Sequence, residues 1–180
     1  EKVIMFKDKD VILVGNSVEI MEYNLKEYID SFDIVVHFGK AIGRNERQTM
    51  SLGSKTDVWI TGLFRAPMWK SIKGKYGNTK IMLNKCRRFI DQPLTPKQIK
   101  AIPNFEYIDM FSDKELIDIY DEFGFGEDFE GSKGEWVTGG LKRPSVGFLG
   151  ILYFIRKVKI YKSLHIIGFD FFNKSTNKIR

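Results

Sequence analysis

The chain has 180 residues, 43% of them hydrophobic and 29% charged, enough for one sizeable core and without the linker composition that marks a second unit. Its net charge of +6 and pI near 9.3 suit an anionic ligand, an anionic polymer or an acidic membrane surface without choosing among them. No apolar run reaches the roughly 18 residues of a membrane span, and the single cysteine, Cys86, excludes an intrachain disulfide and a cysteine-based zinc site.

One domain over residues 1–180 is therefore expected, and its first element is read from the stretch VILVGNSVEI, residues 11–20. Val11 to Val14 form a short, continuous run rich in β-branched residues, the pattern of a strand buried on both faces. Gly15 interrupts it. Ser17 is a preferred helix N-cap, and Val18, Met21, Leu25, Tyr28 and Ile29 recur at helical spacing, which predicts a helix over 18–29. The free N–H groups of that helix would lie at the top of the sheet, where the Gly-Asn-Ser turn either binds an anion or simply turns.

Further strands are predicted at 33–38, 57–61, 80–83, 105–108 and 164–169, and helices at 96–101, 113–122 and 147–158. Ser112 is placed to cap the helix at 113–122, with Leu116, Ile117 and Tyr120 on one face. The glycine-bearing, aperiodic stretches 39–53 and 124–143 are read as loops. Short apolar strands alternating with helices predict an α/β fold with a mainly parallel sheet. In such sheets ligands bind at the carboxyl ends of the strands, where loops of this kind gather.

The stretch KRPSVGFLGILYFIRK, residues 142–157, holds a second informative turn. Pro144 and Ser145 precede a helix that is apolar nearly all round and so must be buried against the sheet. Ser145 can cap it, and Gly147 lets a ligand or another backbone come close. Its N-terminus is a second candidate anion cradle, since the first turn of a helix combines unpaired N–H donors with about half a positive charge. Other signatures are missing: no G-x-x-x-x-G-K-[ST] loop, no G-x-G-x-x-G turn, no G-x-S-x-G elbow, and no metal-ligand spacing between His37 and His165.

These two stretches, in this order, resemble the large and small sialylmotifs of the eukaryotic-type sialyltransferases and their bacterial and viral relatives. The large motif is matched by Ile12, Val14-Gly15-Asn16-Ser17, Ile29-Asp30-Ser31-Phe32, Val35-Val36-His37-Phe38-Gly39-Lys40-Ala41 and Gly53-Ser54-Lys55-Thr56. The small motif is matched by Pro144-Ser145-Val146-Gly147 and Ile167-Gly168-Phe169. The resemblance implies a Rossmann-like α/β/α sandwich of seven strands, a variant of the glycosyltransferase-A type. It further implies an inverting, metal-independent transfer of an acid sugar from a CMP-activated donor to a glycan acceptor. Asn16 and Ser17 would meet the phosphate or ribose, Ser145 and Gly147 the nucleotide at the second helix start, and Gly168 would line the cytidine pocket. The CMP-sugar is the donor substrate, and no cofactor is implied.

Three departures stand out. Gly39 occupies the place of a second nucleotide-contacting asparagine, Val146 the place of a second hydroxyl, and the family's cysteine pair is missing. The last fits a cytoplasmic protein, with the inner membrane surface as a peripheral contact. The family's general base is a histidine downstream of the small motif, and the sequence ends at Arg180, so a chain truncated at its C-terminus is expected. His165, in an apolar strand, reads as a core histidine. His37 closes a strand near the site, and Asp170 stands by position at a strand's carboxyl end; no base is assigned. Sialic acid is the default sugar, with CMP-Kdo the alternative donor and an inactive nucleotide- or polyanion-binding relative a competing class. Nucleic acid is not expected as a partner, because Phe supplies 15 aromatics against 7 Tyr and 3 Trp, mostly in core-like runs.

Overall fold

The computed structural model describes residues 4–39, 45–62, 80–84, 107–125 and 144–169. Six strands pair into one sheet: β1 (Asp10–Val14), β2 (Ile34–Phe38), β3 (Val58–Gly62), β4 (Lys80–Asn84), β5 (Tyr107–Asp109) and β6 (Ser163–Ile167). The order across the sheet is β5-β4-β3-β2-β1-β6, and every pairing is parallel. This is the expected α/β fold with a parallel sheet. The resemblance implied seven strands, of which six lie among the described residues. The predicted helix at 96–101, Cys86, Asp170 and most of the loop 124–143 lie outside them.

Two helical layers cover the sheet. On one face, Ile12, Val14 and Val35 pack against Ile20, Ile29, Phe32 and Leu52. These come from a 3-10 turn (Glu19–Glu22), α1 (Lys26–Asp30), the turn that follows it and α2 (Glu46–Leu52). On the other face, Val11, Leu13, Val36, Phe38, Val58 and Ile60 pack against Leu116, Ile119, Tyr120, Leu149 and Phe154. Those side chains come from α3 (Asp113–Glu122), α4 (Val146–Tyr153) and a π-helical turn (Phe154–Val158) that continues α4. Successive residues of β1, and Val35 and Val36 of β2, feed opposite layers, as the period of a strand buried on both faces requires. The helices change face where the strand order reverses, as crossovers of one hand must. Among the described residues no helix is long and apolar enough to cross a membrane.

Several predicted boundaries change. The single helix expected over 18–29 is broken into the 3-10 turn and α1. Tertiary bonds take over the backbone between them: Leu25 N–H donates to the Met50 carbonyl (3.0 Å), and the Ser51 hydroxyl to the Met21 carbonyl (3.2 Å). Ser17 is not a cap, since the 3-10 turn follows Val18 without any side-chain cap bond. The stretch 39–53, read as a loop, contains α2, held by a capping box between Asn45 and Gln48. The helix at 113–122 is as predicted, with Ser112 and Glu115 forming its capping box. The strand at 105–108 is displaced to Tyr107–Asp109.

The two histidines exchange places relative to expectation. His37 is fully buried, with Nε2 within 2.9 Å of the Leu52 carbonyl and Nδ1 within 3.0 Å of the Thr56 hydroxyl. His165 is the exposed one: it lies on β6, which has no further neighbour among the described residues, and meets the Tyr28 hydroxyl at 3.2 Å. The apolar run around His165 suggested a core strand, but β6 is an edge strand among the described residues and none of its side chains is fully buried.

Candidate functional site

β1 is the strand from which the chain leaves in one direction to β2 and to whose other side it returns as β6. The carboxyl ends of β1 and β6 therefore flank the topological switch point of the sheet, the place where open α/β sheets hold ligands. Val14 lies opposite Ile167, and the pairing continues past the strands: Gly15 N–H donates to the Ile167 carbonyl and Ser17 N–H to the Gly168 carbonyl, each at 2.9 Å. Neither of these two N–H groups is free, contrary to the expectation of an open helix start at this turn.

Glycine is demanded here by crowding. A Cβ on Gly15 would sit 2.2 Å from the Gly168 carbonyl oxygen, and one on Gly147 would sit 2.8 Å from the Phe169 ring. The approach allowed by Gly147 is thus made by Phe169, which also meets the Gly15 side of the turn and packs edge-on against Phe38 with ring centroids 5.3 Å apart. Gly168 itself adopts φ +70°, the left-handed region that glycine enters without strain. The Gly-Asn-Ser turn, the start of α4 and the end of β6 thereby converge on Phe169.

The polar groups around this junction divide by function. Asn16 is exposed, and its Nδ2 donates to the Phe38 carbonyl at 2.7 Å, tying the end of β1 to the end of β2. One amide hydrogen and the amide oxygen are left for a ligand. Beside it, Gly39 takes φ +56°, and its carbonyl accepts from the indole N–H of the fully buried Trp59 at 2.8 Å. Ser145 does cap α4, its hydroxyl accepting from Phe148 N–H at 3.0 Å, which leaves the hydroxyl hydrogen available.

Ser17 differs from all of these. It is only 8% exposed, and its hydroxyl has no hydrogen-bond partner among the described residues. A hydroxyl without a protein partner keeps its donor and both acceptor positions for whatever occupies the space beside it. It lines an open cleft of about 490 Å³, whose other walls include Glu19, Glu22, Tyr23, Gly168 and Phe169. The structure thus brings Asn16, Ser17, Gly39, Ser145, Gly147 and Gly168 to one end of the sheet, with Ser17 and Gly168 on the cleft itself.

Other residues of the large-motif resemblance build the frame instead. The Asp30 carboxylate accepts from Ser54 N–H (2.8 Å), the Ser54 hydroxyl (2.6 Å) and Lys55 N–H (2.9 Å), with Lys26 Nζ at 3.2 Å. Burial pushes its pKa up, but the bonds from Ser54, Lys55 and Lys26 outweigh burial and hold the carboxyl below 3.8. Lys55 Nζ in turn donates to the carbonyls of Phe32 (2.6 Å) and Asp33 (2.7 Å). The Ile-Asp-Ser-Phe and Gly-Ser-Lys-Thr segments are therefore locked to one another, at a distance in sequence of 24 residues for the Asp30–Ser54 pair.

No family model matches the chain, and no curated protein sequence matches it. Among solved structures, a crystal structure of a mammalian sialyltransferase superposes with a TM-score of 0.52 at 16% identity, over 90% of this chain and 55% of that one. A second, of a mammalian sialyltransferase in complex with Gal-beta-1-3GalNAc-ortho-nitrophenol, gives a TM-score of 0.49 at 17% identity, over 90% of this chain and 56% of that one. The chain thus spans about half the length of the proteins it is similar to. The fold of this chain is sialyltransferase-like.

Proposed function

We propose that the β1–β6 crevice binds the nucleotide of a CMP-activated acid sugar and serves inverting, metal-independent transfer of that sugar to a glycan acceptor. Sialic acid is the default sugar and Kdo the alternative. Asn16 and Ser17 are assigned to the phosphate or ribose, Ser145 and Gly147 to the nucleotide at the start of α4, and Gly168 to the cytidine wall. Gly39 stands where the family's second asparagine would add a contact. Transfer of this kind requires donors that offset charge on the leaving phosphate, which hydroxyls and helix-start N–H groups supply.

The observation that carries this reading is the buried, unpartnered Ser17 hydroxyl at the switch point. A hydroxyl with no protein partner on the wall of a cleft is placed to bond a ligand there. Ser17→Ala is therefore expected to leave the melting temperature unchanged or raised, while CMP affinity measured by calorimetry falls about tenfold or more, about 1.5 kcal/mol for a bond to a charged group. Unchanged CMP affinity would overturn the reading. Asn16→Ala is less clean as a test, because it also removes the 2.7 Å bond to Phe38 that joins β1 to β2.

A second reading, nucleotide binding without transfer, is favoured by the engagement of both histidines elsewhere. His37 is enclosed by Leu52 and Thr56, and His165 lies beside Tyr28 and Phe32. Release of CMP from CMP-sialic acid in the presence of galactose-terminated acceptors separates the two: turnover supports transfer, and stoichiometric binding alone supports the second reading.

A further inference from the structure

Asn16 is held by a chain of hydrogen bonds that begins inside the sheet. Its Nδ2 donates to the Phe38 carbonyl at 2.7 Å, and the same Phe38–Gly39 peptide donates its N–H to the Ile60 carbonyl of β3 at 2.9 Å. The next carbonyl, that of Gly39, accepts from the indole N–H of Trp59 at 2.8 Å. Trp59 lies on β3 opposite His37 and is fully buried, so it cannot itself reach a ligand. Gly39 needs such an anchor. It takes φ +56°, and a Cβ there would come no nearer than 3.9 Å to any described residue beyond its chain neighbours, the nearest atom being Asn16 Nδ2. The position is therefore glycine for its backbone and not for room. A residue with glycine's freedom keeps one geometry only where its surroundings impose it.

We propose that Trp59 is a positioning residue of the β1–β6 crevice: its indole N–H fixes Gly39, and through the Phe38 carbonyl it sets the Asn16 amide, whose remaining hydrogen and oxygen are left for the ligand. This rests on the nucleotide reading above and extends it from residues that would touch the phosphate or ribose to one that touches neither. The indole suits the task. It has one donor in a rigid plane, and its enclosure in the core prevents it from following a displaced acceptor. A hydrogen bond in such surroundings is stronger than its counterpart in water. Binding groups have to be kept within about 0.5 Å of their productive geometry, and neighbours locked by packing and hydrogen bonds do the keeping. Without the indole bond, Gly39 and the peptide before it are free to turn, and the acceptor that orients Asn16 moves with them.

Trp59→Phe removes the indole N–H and keeps an aromatic ring. Calorimetry well below the melting temperature should show CMP bound about fivefold more weakly than by the wild type, the size of one hydrogen bond. The melting temperature falls too, as it would after any loss of volume at a buried site. The decisive comparison is therefore made in the Asn16→Ala background. There Trp59→Phe should lower the melting temperature again but change CMP affinity by less than about twofold, because the group it positions is gone. The wild-type chain provides a measurement that needs no folded Trp59 variant. Saturating CMP should shift the Trp59 indole N–H resonance and slow its exchange with solvent, the resonance being assigned by elimination with Trp69→Phe and Trp136→Phe. Unchanged CMP affinity in Trp59→Phe, an equal loss in both backgrounds, or an indole resonance that CMP leaves in place overturns the proposal. If CMP binds and Ser17→Ala weakens it while Trp59→Phe does not, the nucleotide site stands and only the role of Trp59 falls. If CMP does not bind the wild type, both fall together.

Discussion

Gly15→Ala is expected to lower the melting temperature by about 6–12 °C and to abolish CMP binding. The added Cβ would lie 2.2 Å from the Gly168 carbonyl oxygen and 3.0 Å from the Phe169 ring. The obstacle is backbone, and it cannot retreat cheaply. Gly15 N–H is bonded to the Ile167 carbonyl and Ser17 N–H to the Gly168 carbonyl, so separating the two segments breaks both bonds at the junction. Overpacking of this kind destabilises by about 1–3 kcal/mol and more where the surroundings are rigid; about 3 kcal/mol corresponds to the stated shift at about 2–4 °C per kcal/mol for a chain of this size. Circular dichroism melting checks the stability, and calorimetry the binding. A variant with wild-type melting would show that the β1–β6 crevice is looser than the hydrogen bonds imply.

The second large effect falls on Asp30. Removing its carboxylate in Asp30→Ala leaves the Ser54 and Lys55 N–H groups without their acceptor and frees the turn that follows Gly53. Bonds to a charged group are worth about 1.5–3 kcal/mol each. Partial exposure reduces the total, and a loss of about 2–3 kcal/mol, or about 5–10 °C, is expected. The pH dependence has a definite sign. Because the folded-state pKa lies below 3.8, the unfolded chain binds the proton more readily. The contribution of Asp30 is fully present above about 3.8 and is lost as the pH falls from there through the lower folded value. Wild type and Asp30→Ala should therefore differ in denaturant midpoint at neutral pH and converge in strong acid. A difference that is constant with pH would assign the loss to packing rather than to the carboxylate.

Much of the secondary structure was legible because it depends on local pattern. The β-branched run of Val11–Val14 could only be a buried strand, and Ser112 with Glu115 announced the helix at Asp113–Glu122. The Asn45–Gln48 capping box is also a local pattern, but the three glycines of the stretch 39–53 point to a loop, and the tertiary structure decides for the helix. Ser17 misled in the opposite sense: a hydroxyl at a strand end reads as a cap, while its backbone N–H is in fact taken by Gly168.

The alternation of short apolar strands with helices was sufficient to indicate the fold class, and the turns Gly-Asn-Ser and Pro-Ser-Val-Gly marked where two of those strands and helices meet, because the preferences of strands, caps and glycines act within a few residues. What those turns do was decided by contacts between residues far apart in the chain. Gly147 accommodates Phe169, and Asp30 holds Ser54 rather than a ligand. His37 is enclosed while His165 is open, because β2 lies inside the sheet and β6 pairs only with β1 among the described residues. The buried Ser17, whose hydroxyl has no protein partner among the described residues, emerges only when β6 is laid against β1, since burial and hydrogen-bond satisfaction belong to the packed chain and to no segment of it.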